Sequence, residues 1–317
     1  MSWTPALVPV ERVRGKLAKP LFRELDDADT PLVIEGAVED WPALRTWSPA
    51  VLREKIGNVP VRYKVSESGA HPDFRSATPP RSFRVESSTF SEFLSTITEG
   101  PREQRTRNLF TGDEQFLLRN RRGRVEIDSA LTPLLDDVRM AEIVPEERVY
   151  TVWGWFSGPG VRTWLHYDNN GCHNLNVQIS GRKRCWLFPP TELRRLAPFP
   201  LGGTNPAYNC SQIDVDAPDF ERFPELRAVR GFSAEIAQGD VLFIPANYWH
   251  TFFHEGELNT NVNFWWKPER PFADPVALRQ ALVDAALAAR APDTADTDAA
   301  SLLARLDRAL VEREPGW

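Results

Sequence analysis

The chain has five histidines, and two of them stand in patterns that can hold a metal. His166 and Asp168 flank Tyr167 at the end of a strand candidate. A strand sends alternate side chains to opposite faces, so the imidazole and the carboxylate point the same way. His250 lies far downstream, after the apolar strand candidate Gly239–Pro245 and a turn over 246–249. Two imidazoles and one carboxylate occupy one side of a metal and leave positions open on the other, the donor set of non-haem iron(II) oxygenases. His166 and Asp168 alone are a weak signal, more often a hydrogen-bonded surface pair than a metal site, and it is the distal His250 that gives the set its weight. His173 and His254 are competing candidates, each otherwise a neighbour of the site or a surface residue. His71 falls in a loop.

The surrounding sequence must bring these residues together. From Val149 onward it reads as short strands separated by turns: 149–156, 163–167, 174–179, 183–188, 231–236, 241–245 and 258–266. Regular short strands of this kind predict a sandwich or barrel, here a jelly roll. Before them, Pro31–Ile34 reads as a buried strand. Ser48 caps a helix through Ile56, with Pro49 at its first position and Gly57 past its end, and another helix starts near Ser91. Residues 65–85 and 101–125 read as long polar loops, a common place for substrate contacts. Two helices are expected in the tail, Val276–Ala289 and Ala299–Glu312.

Two strands carry an unusual alternation. Asn174, Asn176 and Gln178 share one face, with Leu175, Val177 and Ile179 on the other. Asn259, Asn261, Asn263 and Trp265 alternate in the same way with Leu258, Thr260, Val262, Phe264 and Trp266. Either the amides face water on an ordinary sheet, or they line a barrel interior. In the second case they need partners, because an unpaired buried polar group is costly.

Composition bounds the rest. A net charge of −6 argues against DNA or general nucleic-acid binding, which calls for a basic excess. The arginine-rich stretch Arg102–Arg124 is the local exception, read as a solvated loop or as a surface for an anionic partner such as RNA. No apolar run is long enough to span a membrane, and the N-terminus lacks a secretion-signal pattern. Cys172, Cys185 and Cys210 form neither a disulfide framework nor a close-spaced metal motif, so a cytoplasmic setting is expected.

Taken together, Thr163–Asp168, Asn174–Gln178, Gly181–Pro190, Asp219–Pro224, Gly239–Pro245, Tyr248–His250 and Val262–Trp265 closely resemble the JmjC/cupin-like hydroxylases, the asparaginyl hydroxylases among them most of all. Pro31–Gly36 with Trp41–Ala43 and Trp47–Ser48 fits as well. The resemblance is dense over 160–266 and fair over 30–60.

The resemblance implies a mainly β protein with flanking helices, built on a double-stranded β-helix. It divides the chain into an N-terminal flanking region of α/β elements (1–125), a JmjC/cupin-like core (126–272) and a C-terminal helical segment (273–317). It implies iron(II) on His166, Asp168 and His250. Lys183 then pairs with the distal carboxylate of the cosubstrate 2-oxoglutarate, helped by the Thr163 hydroxyl, while Asn174 and Asn263 bond near the carboxylate at the metal. A lysine ammonium is a compact point charge suited to that task. The reaction is an O2-consuming oxidative decarboxylation of 2-oxoglutarate followed by C–H hydroxylation. Departures exist too. The family's cosubstrate-binding tyrosine falls near Asn108, and its substrate-contacting glutamine and arginine fall on Cys210 and Asn209. Trp265, Cys210 and Asn209 are the candidate substrate contacts.

The expected substrate is an amino-acid side chain of a protein or peptide. The alternatives are a small metabolite or modified tRNA base, or a cupin binding protein without catalysis. A homodimer through the C-terminal helices is expected from that resemblance and from Leu302, Leu303, Leu306 and Leu310 at helical spacing, with Arg305, Asp307, Arg308 and Glu312 assigned to the surface. The other reading of this stripe is packing on the chain's own barrel.

Overall fold

The computed structural model describes residues 3–16, 19–66, 70–71, 84–99, 107–110, 117–119, 125–126, 131–139, 144–169, 171–201, 207–269, 274–289, 306–308 and 311. The N-terminal part contributes strands β1 (Ala6–Pro9), β2 (Glu11–Arg14), β3 (Leu32–Glu35), β4 (Pro60–Val65), β5 (Ala70–His71), β6 (Arg84–Thr89), β7 (Arg107–Phe110), β8 (Leu117–Arg119) and β9 (Val125–Glu126). The core adds β10 (Val149–Ser157), β11 (Arg162–Thr163), β12 (His166–Tyr167), β13 (His173–Phe188), β14 (Arg230–Ile236), β15 (Val241–Ile244) and β16 (Trp249–Trp266). The helices are α1 (Lys19–Asp26), α2 (Ala43–Thr46), α3 (Pro49–Ile56), α4 (Phe90–Thr98) and α5 (Pro275–Ala289). The fold is mainly β, as expected.

Two strands, β13 and β16, pair along almost their whole length and are shared by both walls of the fold. The first half of β13 joins β15 and then β3, while the second half of β16 joins β10. Beyond their bend, the second half of β13 joins β14, and the first half of β16 carries β11 and β12. One pair of strands thus turns through a corner and closes two sheets on a common interior.

The corner is a departure from the expected strand ends. The sequence places a turn at Ser180–Gly181, yet β13 runs through it with register shifts between Gln178 and Arg182. Likewise β16 starts at Trp249 rather than Leu258. The physical reason lies in Gly181 and Gly256, with φ of +72° and +95° on the two facing strands. A Cβ at Gly181 would stand 2.7 Å from the Leu258 carbonyl oxygen and 2.9 Å from that of Glu255. A bulge with a left-handed glycine bends a strand without ending it.

Apolar side chains form three layers. Leu175, Val177, Val262, Phe264 and Trp266 face outward from the first wall onto α3 and α4 residues such as Leu52, Phe90 and Phe93. Tyr167, Phe188 and Trp249 face outward from the second wall, with Val276 of α5. Between the walls Cys185, Leu187, Ile236, Leu242 and Phe252 fill one part of the interior. Each fully buried side chain of this size contributes about 1.5–3 kcal/mol. The remainder of the interior is polar, and it holds the site.

Helix signals held closely. Ser48 caps α3, accepting from Val51 N at 3.4 Å, with Pro49 at the first position. The next helix, α4, begins at Phe90 because Thr89 and Glu92 close a reciprocal capping box. Of the last expected helix, only 306–308 and 311 are described, and they are helical. Asp307, assigned to the surface from sequence, is instead buried, for a reason given below. Leu302, Leu303 and Leu310 lie outside the described residues, as does most of the arginine-rich stretch. No helix among the described residues is long and apolar enough to cross a membrane.

Candidate metal and dianion site

His166 of β12 and His250 of β16 are direct cross-strand partners, with ring centroids 4.4 Å apart. Asp168 follows β12, and its Oδ1 lies 3.8 Å from Nε2 of each histidine. The three ligand atoms lie within 4.8 Å of one another, a spacing that one metal ion can bridge. Among the described residues this is the one group of three or more such side chains that meets that geometry. His173 and His254 are not in it. His173 is buried against Asp26 and Ala246, and His254 bonds the Ser157 hydroxyl at 2.6 Å.

Each donor is aimed by a fixed bond behind it. His166 Nδ1 lies 2.7 Å from the Trp164 carbonyl, and His250 Nδ1 lies 3.0 Å from that of Tyr248. Donation from Nδ1–H to these carbonyls leaves both Nε2 lone pairs facing Asp168. Asp168 Oδ2 accepts from Asn174 Nδ2 and Trp265 Nε1, both at 2.9 Å, which leaves Oδ1 for the metal. Burial first, and then the second imidazole beside it, pushes His166 down to about 4, so its own imidazole is neutral and a ligand at physiological pH. Burial opposes ionisation of Asp168, but His250, His166 and the two hydrogen bonds outweigh it and hold the carboxyl below its usual range. This is the protonation that a metal needs. Exposure is uneven: the His250 side chain is 3% exposed, against 22% and 19% for His166 and Asp168, so access to the triad is from the side of the latter two.

The amide faces turn inward, which decides between the two readings of their alternation. Asn263 Nδ2 donates to Asn174 Oδ1 at 2.7 Å, Asn261 donates to Asn263, and Lys183 donates to Asn261. Lysine can only donate and carboxylate can only accept, so the direction of every amide in the line from Lys183 to Asp168 is fixed by its ends. Lys183 itself is 2% exposed, with Nζ 5.3 Å from the centre of the Phe252 ring. Burial pushes it down to about 7, and no carboxylate among the described residues offsets that. A buried cation without a counter-ion, in the same chamber as the triad, suits an acidic ligand. Thr163 sits on the same neighbour: its hydroxyl accepts from Phe252 N at 2.8 Å and keeps its proton to donate.

A cupin-like domain model matches residues 18–271, about four-fifths of the chain and the whole of this site. The chain belongs to the cupin-like domain family. This cupin-like chain is 28% identical over 265 residues to human tRNA wybutosine-synthesizing protein 5, covering 82% of the chain and 78% of that protein. It is 27% identical over 278 residues to lysine-specific demethylase 8 of Xenopus tropicalis, covering 82% and 55% respectively. With human HSPB1-associated protein 1 it shares 26% over 266 residues, covering 81% and 51%.

The structure thus brings His166, Asp168, His250, Asn174, Asn263 and Trp265 into one cluster, with Lys183 at the far end of the amide line. Trp265 holds the Asp168 carboxylate, and Trp153 packs edge-on against the Trp265 ring at 5.6 Å. Asn209 and Cys210 lie beside β12. Asn209 Nδ2 donates to the Tyr167 carbonyl at 2.8 Å, and Cys210 bridges His166 and packs with Trp164. Asn108 lies on β7 in register with Ser157. Sequence reasoning gave Asn261 no role, although its place in the alternation was the signal. Arg279 and the opposite face of Tyr167 gave no such signal.

Proposed function

We propose that this protein is an iron(II)- and 2-oxoglutarate-dependent oxygenase that hydroxylates a C–H bond of its substrate. One observation carries the reading: the facial triad and a buried lysine with no counter-ion among the described residues are the two ends of a single hydrogen-bonded line. His166, Asp168 and His250 would hold the iron, which supplies O2 activation when bound. Lys183 would take the distal carboxylate of 2-oxoglutarate, with the Thr163 hydroxyl as a second donor. Asn174 and Asn263 would turn donors toward the carboxylate at the metal. Lys183 is buried, so a charge-assisted bond there is worth more than at the surface.

For the substrate we favour a protein or peptide side chain. The support is the match to lysine-specific demethylases. A modified tRNA base is the second reading, and the wybutosine-synthesizing relatives favour it because they match over most of both chains. A binding protein without catalysis is the third outcome. Succinate release from 2-oxoglutarate with iron(II) and O2 separates enzyme from binding module. Mass spectrometry of peptide libraries and of bulk tRNA then separates the two substrates by where a 16 Da gain, or loss of a methyl group, occurs.

A further inference from the structure

Arg279 of α5 has no exposed surface, and its guanidinium sits behind the metal strand rather than in the site. A guanidinium has five N–H groups, and here all five find acceptors. Nε donates to Asp307 Oδ1 at 2.5 Å and Nη2 to Asp307 Oδ2 at 3.2 Å. Nη2 also donates to the Phe199 carbonyl, and Nη1 to the Tyr208 carbonyl and, at 3.0 Å, to the Tyr167 hydroxyl. Asp307 in turn accepts from Leu201 N at 2.7 Å. This is why Asp307 is buried.

Tyr167 is the residue between His166 and Asp168. Strand alternation points its ring away from theirs, to the outer layer, where it meets Trp249 edge-on at 4.9 Å. Trp249 precedes His250 and is the cross-strand partner of Tyr167, as His250 is of His166. An aromatic pair outside the wall therefore backs the imidazole pair inside it. Only two residues long, β12 has little ladder of its own to fix its twist. Its backbone is held by Asn209, which accepts from Tyr167 N at 3.0 Å and donates to the Tyr167 carbonyl. Its side chain is held by Arg279, which also grips the residue preceding Asn209. Rotation of Tyr167 about the strand would move both neighbouring ligands, because the three share one stretch of backbone.

We infer that Arg279 is a positioning residue for the metal centre, acting through Tyr167 to keep His166 and Asp168 aimed at His250. Asp307, far along the chain, thereby becomes part of the support of the site. A buried ion pair adds little net stability over apolar packing. What this one supplies is direction, from five donors in a rigid fork. The inference rests on the triad being a metal site, as proposed above.

Cobalt(II) titration, followed by visible absorption, tests it without turnover. Replacing both partners, Arg279→Met with Asp307→Leu, leaves neither charge buried alone. The expected result is a folded protein whose cobalt(II) affinity falls about tenfold or more, the usual effect of losing an outer support. Tyr167→Phe keeps the ring on Trp249 and removes only the hydroxyl. It should weaken cobalt(II) in the same direction by less, and it decides the matter alone if the double variant does not fold. Wild-type affinity in Tyr167→Phe overturns the route through Tyr167. A lowered melting temperature with unchanged cobalt(II) affinity in the double variant shows a purely structural role, and also overturns it. If the wild type takes up no cobalt(II), the metal reading itself fails. If it does and both variants match it, only this inference fails.

Discussion

Asn174 ties Asp168 to the rest of the interior: it donates to Oδ2 of the carboxylate at 2.9 Å while accepting from Asn263 at 2.7 Å. The Asp168 carboxylate is therefore held by the same line of amides that ends at Lys183. Loss of Asn174 has two expected effects. Asn174→Leu should weaken metal binding by roughly ten- to hundredfold, since it frees Asp168 to rotate, and it should raise the 2-oxoglutarate requirement as well. Cobalt(II) titration with and without 2-oxoglutarate measures both, and unchanged values would remove the amide from the site.

The ligands themselves make a stronger test. His166→Ala, Asp168→Ala and His250→Ala should each abolish succinate formation, and anaerobic iron(II) titration of the wild type should give one site per chain. Full turnover in any one of the three would falsify the triad.

Lys183→Met removes the buried charge at nearly constant volume. A hydrogen bond to a charged group contributes about 1.5–3 kcal/mol, so the KM for 2-oxoglutarate should rise roughly ten- to hundredfold. Iron affinity should barely change, because Lys183 touches no ligand. If the variant binds 2-oxoglutarate as tightly as the wild type does, another cation performs this task.

Binding of 2-oxoglutarate should also depend on pH, with a definite sign. Burial pushes free Lys183 down to about 7, and a bound carboxylate would raise it. Below pH 7 the lysine is already charged, and binding takes up little proton. Above pH 7 a proton must be taken up, so affinity should fall about tenfold per pH unit until the pKa of the bound state is reached. Calorimetry in two buffers of different ionisation enthalpy should find uptake of about one proton at pH 8 and about a tenth of a proton at pH 6. Equal uptake at both would mean that Lys183 is charged throughout.

Assembly as a homodimer through the C-terminal helices remains our proposal. Leu278 and Leu306 are each more than 40% exposed, while Val276 and Val283 pack inward on the same chain. Leu278→Arg with Leu306→Arg should give folded monomers. Sedimentation of the wild type as a monomer at micromolar concentration would defeat the proposal.

The sequence by itself determined that His166 and Asp168 share a face, together with the strand periodicity and the two amide faces, because each rests on a spacing of two residues that a strand translates directly into a face; the pairing of β12 with β16 is what joined His250 to them, and not His173 or His254. Ser48 and Pro49 likewise determined a helix start, since a cap is a local bond. It left open whether the amides met water or a barrel, because alternation is the same in both cases. The tertiary structure decided that, by placing β15 and β10 on the flanks and the apolar layer outside. It also decided that Gly181 bends a continuous strand rather than ending one, for the facing carbonyls of Glu255 and Leu258 come from far along the chain. Asp307 read as an ordinary helix-surface charge, and Arg279 carried no signal of its own. Their burial depends on Tyr167, Phe199, Leu201 and Tyr208 arriving from elsewhere, and no local pattern encodes a pocket assembled from three distant backbone groups and a tyrosine hydroxyl.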